Sequence, residues 1–248
     1  MKKIAIIGGT ALKDLFATAA DVETLTFHSD FGAPSANLAV SSVCGVQVVF
    51  LPRHGARGDI APHLINYRAN IAVLKQLEVE GIFAVNSVGG LTGSMSPGTL
   101  AVPDQIIDYS FGRESSFFDG RSGALKHVDF TQPYSGKLRT ALLKGAENAG
   151  IRCVDHGVYA CTQGPRLETA AEIQRCIRDG CDLVGMTGMP EAVLARELEI
   201  DYASLCLVVN WGAGLTEEPI SMQAIVETAR AGAVRLQSTL MAAVELLI

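Results

Sequence analysis

The sequence lacks a Cys-x-x-Cys pair. Its six cysteines, Cys44, Cys153, Cys161, Cys176, Cys181 and Cys206, are scattered, most of them in apolar strand-like or helix-like runs. A zinc site needs clustered ligands at short spacing, so no metal is expected, and the thiols read as reduced core residues of a cytoplasmic protein. No uninterrupted stretch of 18 apolar residues occurs, so no membrane-spanning helix is expected. The apolar run after Lys2-Lys3 ends at Gly8-Gly9 and, at about five residues, is too short for the core of a secretory signal. An excess of basic charge is also missing: the net charge is −6. Nucleic acid demands a basic surface, so it is not an expected partner. Repeats, low-complexity tracts and linker-like boundaries are absent, which leaves one domain over residues 1–248. With 48% hydrophobic and 19% charged residues, such a domain can bury a sizeable core without staples.

What is present is an alternation of short apolar runs with helix-like segments. Strands are predicted at 3–8, 46–51, 82–86, 100–107, 154–160, 182–185 and 202–209, several of them nearly continuous in apolar residues, as strands covered on both faces are. Helices are predicted at 62–79, 135–149, 169–179, 190–199 and 220–247, with Gly150 and Gly180 as stops and Pro190 and Pro219 in first turns. The pattern gives an α/β fold: a single domain with a central mixed, mostly parallel sheet flanked by helices. Residues 108–134, with Phe111, Phe117, Phe118, Phe130 and Tyr134 among Gly, Ser and Asp, show little periodicity. They read as a long loop serving as lid, interface or binding segment.

Chemistry is concentrated at predicted strand exits. Leu51-Pro52-Arg53-His54-Gly55 breaks from a strand into a loop with an arginine fork beside a ring donor, a pair suited to a small oxyanion, phosphate above all. Gly8-Gly9-Thr10 offers backbone N–H groups and a hydroxyl; the dinucleotide fingerprint G-x-G-x-x-G fails there, since positions 10 and 13 are Thr and Lys. Asn86-Ser87-Val88-Gly89-Gly90 is either a plain strand-to-loop turn or a place where a ligand nears the backbone. Glu168 is either a first-turn carboxylate favoured by the helix dipole or an acceptor facing a pocket. Met186 next to Thr187 suits a flat apolar contact with a sugar or base. Asn210 closes a buried apolar run and needs partners that a ligand can supply.

Together the stretches IIGGT at 6–10, LPRHG at 51–55, PHLINYRANI at 62–71, SPGTLAVPDQIIDYS at 96–110, CTQGPRLET at 161–169 and GMTGMPEAVLARE at 185–197 resemble the trimeric branch of the purine nucleoside phosphorylase family, and more closely its methylthioadenosine phosphorylases. The resemblance implies a homotrimer without metal or cofactor, in which inorganic phosphate is a co-substrate that cleaves a purine nucleoside to free base and ribose 1-phosphate. It assigns phosphate to Thr10, Arg53, His54, Asn86, Ser87 and Thr187. It assigns the nucleoside to Glu168, Met186, Asn210, Gly212 and Met222, with His127 or Phe130 of an adjacent subunit near the 5′ group, and catalytic work to Asn210 and His54. Methylthioadenosine phosphorylases usually carry Asp where this chain has Asn210 and Ser where it has Glu168; members acting on 6-oxopurines carry Glu and Asn. The departure implies a methylthio-nucleoside enzyme with a 6-oxopurine base site. Methylthioadenosine phosphorylase, or a general inosine and guanosine phosphorylase, is the alternative. A hydrolase using water and a non-catalytic nucleotide-binding module are the rival classes.

Overall fold

A computed structural model describes residues 3–9, 22–121 and 123–247. Thr10 lies outside the described residues. Strand β1 (Lys3–Gly8) runs parallel between β4 (Val46–Pro52) and β5 (Gly81–Gly90). Its residues Ile4 to Gly8 are buried because helices and loops cover both faces of this part of the sheet, which is why the segment is almost wholly apolar. Beyond β4 lie two antiparallel strands, β3 (Leu38–Val43) and β2 (Glu23–Leu25). A two-residue turn joins β3 to β4, with Cys44 at φ 49° and Gly45 at φ 82°, the left-handed pair that matches strand twist in a tight hairpin.

On its other side β5 pairs in parallel with β11 (Asp201–Trp211) along its whole length. The last two residues of β5 also pair antiparallel with β10 (Leu183–Gly185), which continues through β9 (Val158–Cys161) to β7 (Gln105–Asp108). Two short strands, β6 (Leu100–Ala101) and β8 (Cys153–Val154), extend the other branch from β11. The result is one mixed, mostly parallel sheet that forks at β5.

Five α-helices flank the sheet among the described residues: α1 (Tyr67–Gln76), α2 (Gly136–Asn148), α3 (Ala170–Arg178), α4 (Gly188–Glu197) and α5 (Met222–Glu245). Packing of α1 and α4 on one face and of α2 and α5 on the other gives two apolar cores, one around Ile71, Leu74 and Leu194, the other around Leu138, Leu142 and Leu240. No helix among the described residues is long and apolar enough to cross a membrane, and the six cysteines carry free thiols, four of them buried.

Several predicted boundaries move. The helix expected over 62–79 is a 3-10 turn at Pro62–Leu64 followed by α1, whose N-cap Asn66 accepts from the Ala69 N–H. The strand expected at 100–107 splits around Val102-Pro103-Asp104, and that at 154–160 splits around Asp155-His156-Gly157, where Gly157 takes φ 139°. Gly150 and Gly180 stop α2 and α3 in left-handed conformations as expected. Pro219 falls before the N-cap Ser221 and so outside the first turn of α5. Asn86 to Gly90 form no turn: they are the second half of β5.

Candidate active site

The parallel strands β1, β4, β5 and β11 end on one side of the sheet, and their exits are stitched together. The Arg53 N–H donates to the Gly8 carbonyl at 2.9 Å, joining the loops after β1 and β4. The Arg53 side chain is almost fully buried, at 1% exposure. Its Nε and Nη2 donate to the two oxygens of Glu191, each at 2.7 Å, and Nη1 donates to the Val85 carbonyl at 2.9 Å; Nη2 also reaches the Ile7 carbonyl at 3.4 Å. Burial alone penalises the guanidinium charge. The Glu191 carboxylate more than offsets this and holds Arg53 above its ordinary value.

Most of the Arg53 fork is therefore engaged within the protein, with one Nη1 N–H left over. Four of its five N–H donors already have acceptors, and its charge is neutralised by a carboxylate that is itself 0% exposed. Arg53 works as a tie between strands β1, β4 and β5 and helix α4. Glu191 also accepts from the Tyr202 hydroxyl at 3.0 Å. Sequence reasoning passed over Glu191. Its signal is a carboxylate one residue after Pro190 in an otherwise apolar helix start, where a charge demands a buried partner.

His54 is half-buried, and its Nδ1 lies 2.9 Å from the Ile60 carbonyl. Nδ1 is thus the protonated nitrogen and, in the neutral ring, Nε2 is left as an acceptor. Burial lowers the His54 pKa below 6.5, assisted by Arg53 and opposed by the Ile60 hydrogen bond. The unfolded chain therefore takes up this proton first, and stability falls as pH drops from 6.5 through the lower folded value. Thermal unfolding without phosphate should show this loss as pH falls below 6.5, smaller in His54→Asn than in the wild type. Added phosphate, which favours the imidazolium, should reduce the difference; equal slopes in both proteins would refute the assignment.

Asn86 is buried within β5. Its Oδ1 accepts from the Thr187 hydroxyl at 2.8 Å and its Nδ2 donates to the Ser204 hydroxyl at 2.6 Å. Thr187 is the N-cap of α4 without a side-chain capping bond, because its hydroxyl is turned to Asn86. Ser87 is exposed. Strand alternation puts neighbouring side chains on opposite faces, so the Asn86 and Ser87 side chains lie on different faces of β5. Asn86 and Thr187 are thus hydrogen-bonded to each other, and the residue before His54 is tied to the Gly8 carbonyl; these groups mark one polar end of the candidate site.

The other end lies where β9, β10 and β11 finish. A bulge between Val208 and Asn210 shifts the β11 register, so that Asn210 faces Gly89 across the pair. A Cβ on Gly89 would stand 3.5 Å from Asn210 Nδ2. The amide donates one proton to the Trp211 carbonyl at 2.7 Å, leaving its second N–H and its Oδ1 without partners among the described residues. Gly212 donates to the Gly90 carbonyl at 2.9 Å. A Cβ on Gly212 would lie 2.7 Å from Leu91 Cδ2, and one on Gly214 would lie 2.5 Å from Ala170 Cβ. The β11 exit is thereby pressed onto the start of α3, which Glu168 precedes.

Glu168 does not serve the helix dipole. The N-cap of α3 is Thr169, and the first-turn carboxylate that completes the capping box is Glu172. Glu168 is half-buried and accepts from the Thr162 hydroxyl at 2.6 Å through Oε1. Its Oε2 has no partner among the described residues. A carboxylate oxygen and an amide carrying one free donor and one free acceptor suit the edge of a flat heterocycle that presents both N–H and C=O groups.

Met186 is half-buried between the two ends, packed so closely on Gly164 that a Cβ there would lie 2.5 Å from its Sδ. Arg113, from the aperiodic loop 109–135, holds this junction. Its guanidinium donates to the carbonyls of Met186 at 2.9 Å, Met189 at 2.5 Å, Thr162 at 3.1 Å and Gln163 at 2.8 Å, and its Nε to Gln163 Oε1 at 3.2 Å. It also stands 5.5 Å from the ring centre of Tyr67. No sequence pattern distinguished Arg113 from the other charges of that loop. Met222 opens α5 and is 63% exposed. His127 is exposed, and Phe130 is half-buried against the core.

The chain is similar to known proteins over nearly its whole length. A family model described as the phosphorylase superfamily matches residues 3–245. A probable S-methyl-5′-thioinosine phosphorylase of Pseudomonas syringae pv. tomato is 48% identical over 240 residues, 97% of each chain. The 6-oxopurine nucleoside phosphorylase of Pyrococcus furiosus is 40% identical, covering 100% of this chain and 94% of its own. The solved structure of methylthioadenosine phosphorylase from Schistosoma mansoni in complex with adenine superposes with a TM-score of 0.93 at 31% identity, over 100% of this chain and 92% of that one. Matched by the family model over nearly its whole length and by relatives well above 30% identity, the chain belongs to the phosphorylase superfamily.

Proposed function

We propose that the protein cleaves S-methyl-5′-thioinosine with inorganic phosphate, releasing hypoxanthine and S-methyl-5-thio-α-D-ribose 1-phosphate, as the name of the Pseudomonas relative suggests. The observation that carries the base assignment is the state of Glu168: turned away from the helix dipole onto Thr162, with its second oxygen unshared. Hypoxanthine offers an N1–H donor and an O6 acceptor. Glu168 accepts from N1–H, while Asn210 donates to O6 and accepts from N7–H. Adenine would set a bare N1 lone pair against the carboxylate.

Phosphate sits at the opposite end, against His54, Thr187, the backbone around Gly8-Gly9 and Asn86-Ser87, and Thr10. One of its oxygens attacks C1′ as the C1′–N9 bond breaks, and the bonding pair leaves with the purine. The oxocarbenium-like sugar is stabilised by phosphate charge below it; the purine leaves with the electron pair and takes a proton from solvent at N7, where Asn210 Oδ1 accepts from the new N–H. Met186 packs on the ribose. Met222, with His127 or Phe130 of a neighbouring subunit, covers the methylthio group in a homotrimer; the exposure of Met222 in the single chain supports that arrangement. The enzyme works in the cytoplasm with no cofactor beyond its phosphate co-substrate.

Phosphorolysis of methylthioinosine, methylthioadenosine and inosine, each with and without phosphate, tests the reading. Methylthioinosine should have the highest kcat/KM, and all turnover should vanish without phosphate. Preference for methylthioadenosine would overturn the base assignment, and equal use of inosine the methylthio assignment. Turnover in phosphate-free buffer would mark a hydrolase.

A further inference from the structure

We infer that Thr162 is a positioning residue that sets the preference for a 6-oxo over a 6-amino base by orienting Glu168, an inference that rests on the base reading above. The Thr162 hydroxyl has one proton and two acceptors in reach: Glu168 Oε1 at 2.6 Å and the Gly185 carbonyl at 3.3 Å. The short, charge-assisted bond takes it.

Thr162 can hold Glu168 because its own backbone is fixed on both sides. Its N–H donates to the Gly185 carbonyl at 2.8 Å, and its carbonyl accepts from Arg113 Nη2 at 3.1 Å. A β-branched side chain on such a backbone has few rotamers. One carboxylate oxygen is thus occupied and the plane of the group set, which leaves Oε2 as the single oxygen for a base N–H. With Oε1 held by Thr162, Oε2 would meet the bare N1 lone pair of a 6-amino base, so Thr162 acts against the wrong substrate as well as for the right one. Gly185 and Thr162 also tie this device to the β10 exit, two residues before Thr187.

Thr162→Val removes the hydroxyl and keeps the shape. Its kcat/KM ratio of methylthioinosine to methylthioadenosine should fall about tenfold, the weight of one charge-assisted hydrogen bond. The change should lie in KM for methylthioinosine, with kcat and KM for phosphate within about twofold, and Thr162→Ser should restore the wild-type ratio. Glu168→Gln, measured in parallel, should lower the ratio by itself, and adding Thr162→Val to it should change nothing more. If Glu168→Gln collapses the ratio while Thr162→Val leaves it intact, the role of Thr162 is refuted and the base reading stands. If Glu168→Gln leaves the ratio intact, the base reading fails and the inference with it. Equal losses in kcat and in phosphate KM would mark Thr162 as merely structural and refute the inference. Should the valine variant not fold, Thr162→Ala against Thr162→Ser decides the same question: alanine keeping the wild-type ratio refutes it, and alanine losing what serine keeps supports it.

Discussion

Truncation of Glu191 to alanine should destabilise the fold by about 3–5 kcal/mol, the cost of leaving a buried charge without its partner. Arg53 is 1% exposed and Glu191 0%. Removing the carboxylate strands a guanidinium that water cannot reach and deprives the Tyr202 hydroxyl of its acceptor. The orphaned hydroxyl adds about 1–3 kcal/mol. Against a total stability of about 5–15 kcal/mol for a typical domain, the variant should be largely unfolded or should melt at a much lower urea midpoint. The double variant Arg53→Met with Glu191→Ala separates the charge from the packing. With both ions gone the stability penalty should shrink, because a buried pair replaced by apolar groups is often close to neutral. Activity should not return, since Arg53 is what draws the exits of β1, β4 and β5 against α4. Urea unfolding of the wild type, both single variants and the double variant gives the coupling directly. A single Glu191→Ala variant as stable as the wild type would disprove the account.

That pair also shows what the sequence could and could not reveal. The α/β class was legible because β1, β4 and β11 are nearly continuous apolar runs and because Gly150 and Gly180 mark where α2 and α3 stop. β2 and β3 were not, since Glu23–Leu25 is three residues long and Leu38–Val43 ends in Ser41-Ser42 and a Cys44-Gly45 turn instead of Asn-Gly. In the site, Arg53 and His54 stood out as a cation and a donor beside a glycine. The partner that takes up Arg53 lies 138 residues further on, and nothing local to either residue announces it. Arg113 is invisible for a related reason: most of its acceptors are backbone carbonyls of two distant loops, and a carbonyl has no sequence signature. Glu168 was ambiguous until the structure gave the capping role to Glu172. Asn210 was legible because a polar amide at the end of a buried strand is costly unless something pairs with it. The bulge that re-aims it lies in the register of β11 against β5, which no single strand encodes.

The largest functional effect should come from exchanging the two groups at the base edge together. In Asn210→Asp the amide donors disappear, so O6 of a 6-oxopurine meets a carboxylate in place of an N–H, while an N6 amino group gains an acceptor. In Glu168→Ser the carboxylate that repels a bare N1 is replaced by a hydroxyl able to donate to it. Each change alone leaves a mismatch at the other position, so each should mainly cost activity on methylthioinosine. Combined, they should move the kcat/KM ratio of methylthioinosine to methylthioadenosine by on the order of 10⁴, the discrimination reached when a site built for one hydrogen-bond pattern meets the opposite one. Asp at 210 would also face the Trp211 carbonyl, which the Asn210 amide now serves at 2.7 Å. The doubly changed enzyme should therefore be slower on its new substrate than the wild type is on its own. Steady-state kinetics on both nucleosides at saturating phosphate measures the ratio. A double variant that keeps the wild-type preference would mean that the base is gripped elsewhere, and that the free oxygen of Glu168 and the free amide edge of Asn210 serve some other ligand.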